Sequence, residues 1–437
     1  MQVQIERMGY SQDGIAHSPE GKTIFIPQTV VGDLVDIELI EDKAHFSRAK
    51  LKEVLEPSSF RVTLNCSPEE HSSVAPWAHI AYDAQLRFKQ DAVRDAFIRI
   101  GKFDSELIDS CLKTIIASPK EWAYRNKFEL NVQANTKGLK LGVHELGNNT
   151  FLPLSSCSLI PKQIEKLPKA LSGALNFALK DPSQYPERVG IRYSERSKDL
   201  EIALWTSPGP FDRKVVSKVI SDATKASSIV RVLLKGPAKS RKVSGVEVLK
   251  GKGFWKEKLL DYQMQISAPS FFQVNTKAAD KLVQTVLDYL KPQVDDTIFD
   301  LYSGAGTFSV PLAQASDNVI AIESYGPAVR DLRRNAEINQ VFIEDIGGDA
   351  ARELPSIGQA HKIIVDPPRA GLAESVVKDL DSTGAKQIVY VSCNPSTLAR
   401  DIRRLVDLGN YNVEAIQPLD LFPQSYHVET VVALQRA

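Results

Sequence analysis

From about residue 270 to its end, the chain alternates apolar segments as long as strands with amphipathic segments as long as helices. Such alternation is typical of strands that run parallel and are joined by helices on the faces of one sheet. The sequence therefore predicts a doubly wound parallel sheet, whose ligands bind at the carboxyl ends of the strands. The predicted strands are 297–302, 318–323, 361–366, 387–392, 411–418 and 428–434, and the predicted helices are 276–290, 306–315, 327–339, 373–382 and 395–408.

Two regions with different patterns precede this sheet, so the chain is predicted to be a multidomain α/β protein. Residues 1–60 hold short alternating strands separated by glycine turns, which indicate a small OB-like β-barrel. Residues 61–266 mix strand and helix patterns, as in an α+β domain. Within them, residues 82–100 have the apolar face of an amphipathic helix, which is a candidate to pack on the third domain, 267–437.

Composition restricts the class of protein. Hydrophobic residues make up 43% of the 437 residues, which is ordinary for a globular protein, and no apolar run is long enough for a membrane span. The four cysteines are widely spaced, which argues against a disulfide framework and favours the reducing cytoplasm. We therefore expect a cytoplasmic monomer that does not contact membranes.

A glycine turn follows the first predicted strand of the sheet. The segment from Asp300 to Phe308 contains Gly304 and Gly306, which allow a tight turn and a close approach of the backbone to a ligand. The segment lacks the third glycine of a dinucleotide fingerprint. Glu323 ends the next predicted strand, where a carboxylate can accept hydrogen bonds from ribose hydroxyls. The combination favours S-adenosylmethionine over a nicotinamide dinucleotide or a purely structural turn.

Other polar residues lie near the remaining strands. Asp349 is a candidate to contact adenine, with a surface turn as the plainer alternative. Asp366 opens an Asp-Pro-Pro-Arg turn that the prolines stiffen, and its carboxylate could contact a uracil edge or cap a helix. Phe271 and Gln273, before the sheet, are substrate candidates. The side-chain amide of Gln273 both donates and accepts hydrogen bonds, which suits it to a uracil edge or to the cofactor. The aromatic residues at this point could also belong to the core.

Cys393 and Glu429 indicate covalent chemistry on a pyrimidine. Cys393 lies where a strand meets a helix, and a helix N-terminus stabilises a thiolate and lowers its pKa. A thiolate that adds to C6 of a pyrimidine enables C5 to attack an electrophilic methyl group, and a base must then remove the C5 proton. Glu429, at the start of the last predicted strand, suits that second role. A buried structural cysteine and an exposed strand-end glutamate are the plainer alternatives.

Positive charge is concentrated in one segment, although the formal net charge of the chain is zero. Residues 211–260 contain thirteen Lys or Arg and four Asp or Glu, an excess of nine positive charges. A solvated face is the ordinary explanation, but beside a nucleobase site a phosphate-contacting surface becomes the better one. Lys239, Arg241 and Lys242 are the candidates for contact with a nucleic acid.

These motifs resemble those of the RNA 5-methyluridine methyltransferases, and residues 2–57 resemble the TRAM domain, an RNA-binding β-barrel. The motifs that carry the resemblance are Phe272-Gln273-Val274-Asn275, Asp300 to Phe308, Asp366-Pro367-Pro368-Arg369, Ser392-Cys393-Asn394-Pro395 and His427-Val428-Glu429. The resemblance implies a C-terminal Rossmann-like methyltransferase domain that uses S-adenosylmethionine, with Cys393 as nucleophile and Glu429 as base. The residues it implies for the cofactor are Gln273, Tyr302, Thr307, Glu323 and Asp349, with Asp366 at the junction of cofactor and uracil.

The chain departs from part of that family at one place. Several members hold a four-iron cluster, and such clusters are normally bound by four cysteine thiolates. Here Cys66 and Cys157 match the first and last cysteines, but Ser72 and Ala75 occupy the two middle positions. Neither residue replaces a thiolate, so no iron–sulfur cluster and no other metal are expected.

The resemblance implies methylation of uracil C5 in structured RNA, with 23S rRNA as the expected substrate. A uridine in the T-loop of tRNA is one alternative, and an RNA-binding or folding factor without catalysis is another. Methylation of cytosine C5 in RNA is disfavoured, because Pro368 and Arg369 leave no second cysteine in the Asp-Pro-Pro-Arg turn.

Overall fold

The structure is a computed structural model that describes residues 1–135, 138–237 and 240–437. Its strands form a six-stranded sheet, a seven-stranded sheet, a hairpin and a second seven-stranded sheet, in that order along the chain. Among the described residues, no helix combines the length and the apolar character needed to cross a lipid bilayer.

The first sheet closes into a barrel. Its strands are β1 (Gln2–Gln4), β2 (Arg7–Met8), β3 (Asp13–His17), β4 (Thr23–Pro27), β5 (Leu34–Asp42) and β6 (Phe46–Glu56). The strand order is β1-β5-β6-β4-β3-β2, with β1 and β2 at the two edges. The two residues between β1 and β2 link the two edges of the sheet. Ile5 N donates to Asp33 O, just before β5, and Glu6 N donates to Ile15 O in β3. Inward residues such as Ile24 are buried and fill the barrel.

The second sheet and five helices form the middle of the molecule. The strands are β7 (Lys127–Asn135), β8 (Gly138–His144), β9 (Phe151–Pro153), β10 (Arg188–Tyr193), β11 (Leu200–Thr206), β12 (Ser228–Lys235) and β13 (Lys242–Lys250). The helices are α1 (Pro68–His71), α2 (Tyr82–Arg99), α3 (Ser105–Cys111), α4 (Leu167–Ala178) and α5 (Arg213–Thr224). The strand order β13-β12-β11-β10-β7-β8-β9 places β13 at an outer edge. A hairpin of β14 (Trp255–Leu259) and β15 (Tyr262–Ile266) leads to the last sheet.

The third sheet has helices between most of its strands. The strands are β16 (Thr297–Leu301), β17 (Asn318–Glu323), β18 (Glu344–Gly347), β19 (Lys362–Val365), β20 (Gln387–Ser392), β21 (Tyr411–Leu419) and β22 (Glu429–Arg436). The helices are α6 (Thr276–Leu290), α7 (Ser309–Ala313), α8 (Gly326–Ile338), α9 (Ala350–Glu353), α10 (Glu374–Ser382) and α11 (Pro395–Asp407). The strand order is β18-β17-β16-β19-β20-β22-β21. Neighbours from β18 to β20 run parallel.

Three details of this sheet differ from the prediction. The sheet is mixed, because β22 lies antiparallel between β20 and β21. Residues 420–428 join β21 to β22 without a helix, so the chain returns in the opposite direction. The short, largely polar strand β18 was not predicted. The helix predicted over 306–315 begins only at Ser309, since Gly306 has a φ of +90°, which a right-handed helix does not allow.

Helix α2 packs against the third sheet, far from its own place in the sequence. Val93 and Phe97 on its apolar face share a hydrophobic core with Leu398 and Leu405 of α11 and with Val432 of β22. Full burial of one such side chain stabilises a fold by about 1.5–3 kcal/mol. The middle of the molecule is therefore bound to the sheet that carries Cys393 and Glu429.

Candidate active site

Cys393 and Glu429 lie opposite each other at the end of β20. This strand ends at Ser392, β22 begins at Glu429, and the antiparallel register pairs Ser392 with Thr430. The next step along the same register brings Cys393 beside Glu429. Glu429 is 3% exposed and Cys393 is partly buried, so the two groups share a site with little water.

The surroundings of Cys393 favour its neutral thiol over the thiolate. Its pKa is raised to about 11, first by burial and then by the negative charge of Glu429, while the charge and hydrogen bonding of Arg369 act in the opposite direction. These causes act against the lowering of this pKa that is expected from the N-terminus of α11. Burial and a neighbouring carboxylate outweigh the local effect of the helix.

The carboxyl groups beside Cys393 also have altered acidity. Burial raises the pKa of Glu429 well above its ordinary value, and the charge of Asp366 adds to this effect, while Arg369 opposes it. Burial raises the pKa of Asp366 to about 7, and the charge of Asp300 contributes. A carboxylate with a raised pKa is a stronger base. Glu429 is therefore suited to remove a proton from a carbon atom of an activated ring.

The Asp-Pro-Pro-Arg turn is fixed between two elements of the site. Asp366 N donates to Leu301 O at 3.3 Å, which ties the turn to the end of β16. At the other end, Arg369 O accepts from Asn394 Nδ2 at 3.3 Å and from Thr397 Oγ1 at 3.2 Å. The turn thus holds Asp366 and Arg369 next to the start of α11, which Cys393 precedes by two residues.

The glycine loop after β16 has the conformation that a close ligand requires. Tyr302, Gly304 and Gly306 have φ values of +65°, +57° and +90°. A Cβ at Gly306 would lie 2.7 Å from Leu332 Cδ1, so this glycine is required by packing. A Cβ at Gly304 would meet nothing within 4 Å, so the loop leaves open space on that side.

Glu323 is bound to this loop at the end of β17. Its Oε2 accepts from Gly304 N at 2.9 Å, and its Oε1 accepts from Tyr325 N at 2.6 Å. Each oxygen has a second lone pair for a hydroxyl group, as the sequence prediction for ribose requires. Thr307 is partly buried and lies in the same loop.

Asp300, at the end of β16, has one carboxylate oxygen without a partner. Oδ2 accepts from Ser309 Oγ, whereas the buried Oδ1 has no hydrogen-bond partner within the described part of the chain. Burial raises the pKa of this carboxyl group to about 7. A buried acceptor without a donor costs free energy, which an amino group of a bound ligand would recover.

Tyr302 and Asp349 lie on the same side of the loop. Burial and the negative charge of Asp349 raise the pKa of Tyr302 to about 12. Asp349 is exposed and caps α9, because its Oδ1 accepts from Ala351 N at 2.9 Å. This capping contact is the plainer role for Asp349, and it uses one of the two carboxylate oxygens.

The segment that carries Phe271 and Gln273 is held by the middle of the molecule. Gln273 O accepts from Asn126 Nδ2 at 2.8 Å, and Gln273 is 5% exposed. Phe271 is 64% exposed, so it is free to contact a substrate, whereas Phe272 packs against Trp255 in the core. The two aromatic residues therefore differ in environment, one exposed and one in the core.

The basic residues proposed for nucleic-acid contact lie on another sheet. Lys239 falls outside the described residues. Arg241 pairs with Glu187 at 2.8 Å, and Lys242 begins β13, at the outer edge of the second sheet. The structure does not bring Arg241 or Lys242 to Cys393, so a role for them would require an extended RNA surface.

Cys66 and Cys157, which match the first and last cluster cysteines, lie near the carboxylate of Glu70. Burial raises the pKa of both Cys66 and Cys157 to about 12, so both are neutral thiols. The carboxylate of Glu70, which lies near both cysteines, accepts from Ser158 N at 2.5 Å. The absence of a cluster remains a prediction.

Two functional candidates have no signal in the sequence. The Tyr10 hydroxyl of the barrel donates to Cys393 O at 3.0 Å. The Lys89 ammonium of α2 donates to Asp420 Oδ1 at 2.7 Å, in the loop before Glu429. Neither residue belongs to a recognisable motif, and only the folded chain brings them to the site.

Taken as a whole, the molecule joins a small barrel to a Rossmann-like sheet with a glycine loop. Residues 230–357 and 351–437 match the family described as tRNA (uracil-5-)-methyltransferase, and residues 1–52 match the TRAM domain. A protein of Thermosynechococcus vestitus, described as an uncharacterized RNA methyltransferase, is 30% identical, with coverage of 97% of this chain and 96% of the relative. One of Caldanaerobacter subterraneus with the same description is 32% identical, with coverage of 100% and 98%.

A solved structure has the same architecture along its full length. The tRNA (uracil-54, C5)-methyltransferase of Pyrococcus abyssi, in complex with S-adenosyl-L-homocysteine, has a TM-score of 0.78 and 26% identity, with coverage of 99% of this chain and 100% of that chain. The chain belongs to the same family as these RNA methyltransferases, and its C-terminal part, residues 230–437, matches the uracil-5 methyltransferase model. The prediction of a TRAM barrel joined to a Rossmann-like methyltransferase domain is confirmed, and so is the prediction of an RNA methyltransferase.

Proposed function

We propose that this protein methylates C5 of a uracil in folded RNA through a covalent adduct between Cys393 Sγ and C6. The observation that carries the proposal is the register of β20 and β22, whose continuation past Ser392 and Thr430 sets partly buried Cys393 beside buried Glu429, close enough for the carboxylate charge to raise the thiol pKa. A nucleophile for C6 and a base for the C5 proton must reach neighbouring atoms of the same ring. Opposed strand ends meet that requirement.

S-adenosylmethionine would supply the electrophilic methyl group. The residues around the glycine loop fit this cofactor in three respects. The space beside Gly304 is open, the Glu323 carboxylate is oriented by two backbone N–H groups, and Asp300 Oδ1 lacks a donor. We assign the ribose to Glu323 and the adenine side to Asp349 and Tyr302. Gly306 and Thr307 shape the loop, with Gln273 and Asp366 at the junction with uracil.

The chain's own groups then act in sequence. Cys393 Sγ gives up its proton to solvent and adds to C6 of the ring, so the electron pair of the C5–C6 double bond moves to C5. Arg369 stabilises the thiolate before it adds. After C5 has taken the methyl group, Glu429 accepts the C5 proton, the double bond between C5 and C6 re-forms and the thiolate leaves. Asp366, whose pKa is about 7, can donate or accept a hydrogen bond at the uracil edge near neutral pH. Exposed Phe271 is placed to contact the RNA around the base.

Two classes of RNA, 23S rRNA and tRNA, are candidate substrates. The resemblance stated from the motifs favours 23S rRNA. The architecture shared with the Pyrococcus abyssi enzyme, whose name gives uracil 54 of tRNA, favours a tRNA uridine as a second candidate. Mapping of 5-methyluridine in both RNA fractions, from cells with and without the gene for this protein, distinguishes the two.

Trapping with RNA that contains 5-fluorouridine tests the mechanism. A base can remove the C5 proton of uridine, but it cannot remove a fluorine atom at that position, so the covalent adduct persists. The wild-type protein is expected to form a denaturation-resistant adduct, and Cys393→Ala is expected to form none while it still binds S-adenosylmethionine. Glu429→Gln is expected to accumulate an adduct with ordinary uridine RNA and to stall there. Methyl transfer by Cys393→Ala, or full turnover by Glu429→Gln, would contradict the assigned roles.

A further inference from the structure

The N-terminal barrel contributes one side chain to the site of the nucleophile. The hydroxyl of Tyr10 donates to Cys393 O at 3.0 Å, across a sequence separation of 383 residues. Tyr10 lies between β2 and β3, in the turn that follows Gly9. The barrel therefore reaches the backbone of the residue that carries the thiol.

The surroundings of Tyr10 keep its hydroxyl in place. Its ring packs edge-on against Tyr426, with ring centroids 5.7 Å apart, and Tyr426 lies 4.2 Å from the ring of His427. Burial raises the pKa of Tyr10, and the charges of Cys393 and Glu429 raise it further. The hydroxyl stays protonated throughout the neutral range and remains a hydrogen-bond donor.

The peptide that Tyr10 binds lies between two regular elements. The β20–β22 ladder ends at Ser392, and α11 is capped by Asn394, whose side chain accepts from Ser396 N. The carbonyl of Cys393 belongs to neither element. Among the described residues, the Tyr10 hydroxyl is the one group that donates a hydrogen bond to this carbonyl. The orientation of that peptide also sets the direction of the thiol, because both leave the same residue.

We propose that Tyr10 is a positioning residue for the nucleophile, acting through its hydrogen bond to the Cys393 carbonyl. The inference rests on the proposed function and adds that the barrel completes the catalytic site. Without the hydroxyl, the peptide of Cys393 samples other orientations, and the thiol is directed at C6 for a smaller fraction of the time. Formation of the adduct slows, while RNA and cofactor binding are kept.

The test compares Tyr10→Phe, which removes only the hydroxyl, with Tyr262→Phe on the hairpin as a matched control. The single-turnover rate of adduct formation with 5-fluorouridine RNA is measured, together with KM for the RNA and Kd for S-adenosylmethionine. Tyr10→Phe is expected to slow adduct formation about 2- to 12-fold, the effect of one neutral hydrogen bond, with KM and Kd within about twofold. The rate is normalised to chains that bind S-adenosylmethionine, so a misfolded fraction does not enter it.

Three results would overturn the inference. A wild-type adduct rate in Tyr10→Phe would show that the hydroxyl does not position the thiol. A rise in KM for RNA without a change in the adduct rate would show that Tyr10 only supports RNA binding. If the wild-type protein itself formed no adduct, the proposed covalent function would fail, and the role of Tyr10 would fail with it.

Discussion

The ammonium of Lys89 lies 2.7 Å from Asp420 Oδ1, and both side chains are fully buried. Lys89 belongs to α2, whereas Asp420 begins the loop that joins β21 to β22 and leads to Glu429. Lys89 also donates to Phe422 O at 3.0 Å. A helix outside the third sheet thus holds the loop that carries the candidate base.

Other parts of the chain bind the same loop through its backbone. Asn275 Nδ2 donates to Leu421 O at 3.2 Å, and Tyr124 OH donates to Pro423 O at 3.0 Å. Trp77 N donates to Gln424 O at 3.0 Å. Consecutive carbonyls are therefore fixed from different directions, and the position of Glu429 depends on segments that are distant in sequence.

We expect Lys89→Met to destabilise the protein strongly, because it leaves the Asp420 carboxylate buried without a positive partner. Removal of one member of a buried ion pair typically costs about 3–5 kcal/mol. The double variant with Asp420→Asn removes the uncompensated charge and is expected to regain most of the lost stability. Thermal unfolding of the three proteins checks this, and a single variant as stable as the wild type would contradict it.

The pH dependence of Cys393 alkylation follows from its raised pKa. Below a pKa of about 11, the thiolate fraction rises about tenfold with each pH unit, so the rate of reaction with iodoacetamide is expected to rise in the same way between neutral and mildly alkaline pH. Arg369→Gln removes a positive charge that favours the thiolate. The pKa of the Cys393 thiol is therefore higher in this variant, and its alkylation at a given pH is expected to be slower.

Arg369→Lys serves as the control for this charge effect and is expected to restore most of the rate. Peptide mapping assigns alkylation to Cys393, and Cys66, with its pKa of about 12, provides a slower internal reference. A rate for Cys393 that levels off near neutral pH would show that the thiol is already activated in the free protein.

Motifs in the sequence predicted the strands at 318–323 and 387–392, the glycine loop and the pair of Cys393 and Glu429. These features have local signals, because turn chemistry and apolar runs are set by neighbours in sequence. The contacts of Tyr10 and Lys89 have no such signal, since each joins segments more than 300 residues apart. The acidity of Cys393 depends on the fold in the same way. A helix terminus is visible in sequence, but burial and the approach of Glu429 arise only from the fold.

We expect the purified protein to contain no iron–sulfur cluster. Ser72 and Ala75 offer no thiolate at the two middle positions, and Glu70 near Cys66 and Cys157 already accepts hydrogen bonds from Ser158. Iron and acid-labile sulfide are measured after anaerobic purification. Iron near the roughly four atoms per chain of a cubane cluster, absent from a Cys66→Ser variant, would contradict the prediction.

The last prediction concerns the surface that captures RNA. A uridine in folded RNA must leave its stack, which costs a few kcal/mol, and phosphate contacts elsewhere must offset that cost. Two surfaces are candidates. One is the outer edge of the second sheet, with Arg241 and Lys242 and with Lys239 nearby in sequence. The other is a cavity of about 580 Å³ between the barrel, α2 and the start of α11, lined in part by Arg7 and Arg87.

Deletion of the barrel would not separate these surfaces from catalysis, because it would also remove Tyr10. Point variants are cleaner. We expect Arg241→Gln combined with Lys239→Glu and Lys242→Glu to weaken RNA binding and to flatten its salt dependence by about 0.7–0.9 in slope for each phosphate that the protein no longer neutralises. Arg241 is neutralised rather than reversed because it pairs with Glu187.

Arg7→Gln with Arg87→Gln provides the matched comparison for the cavity. Because this cavity also contains Tyr10 and Ser396, RNA bound there would reach the site directly, and these variants are expected to raise KM for folded RNA without changing Kd for S-adenosylmethionine. Binding measured over a range of salt concentrations assigns the neutralised phosphates to one surface or the other. If neither set of variants changes RNA affinity at moderate salt, the RNA follows a different path across the molecule.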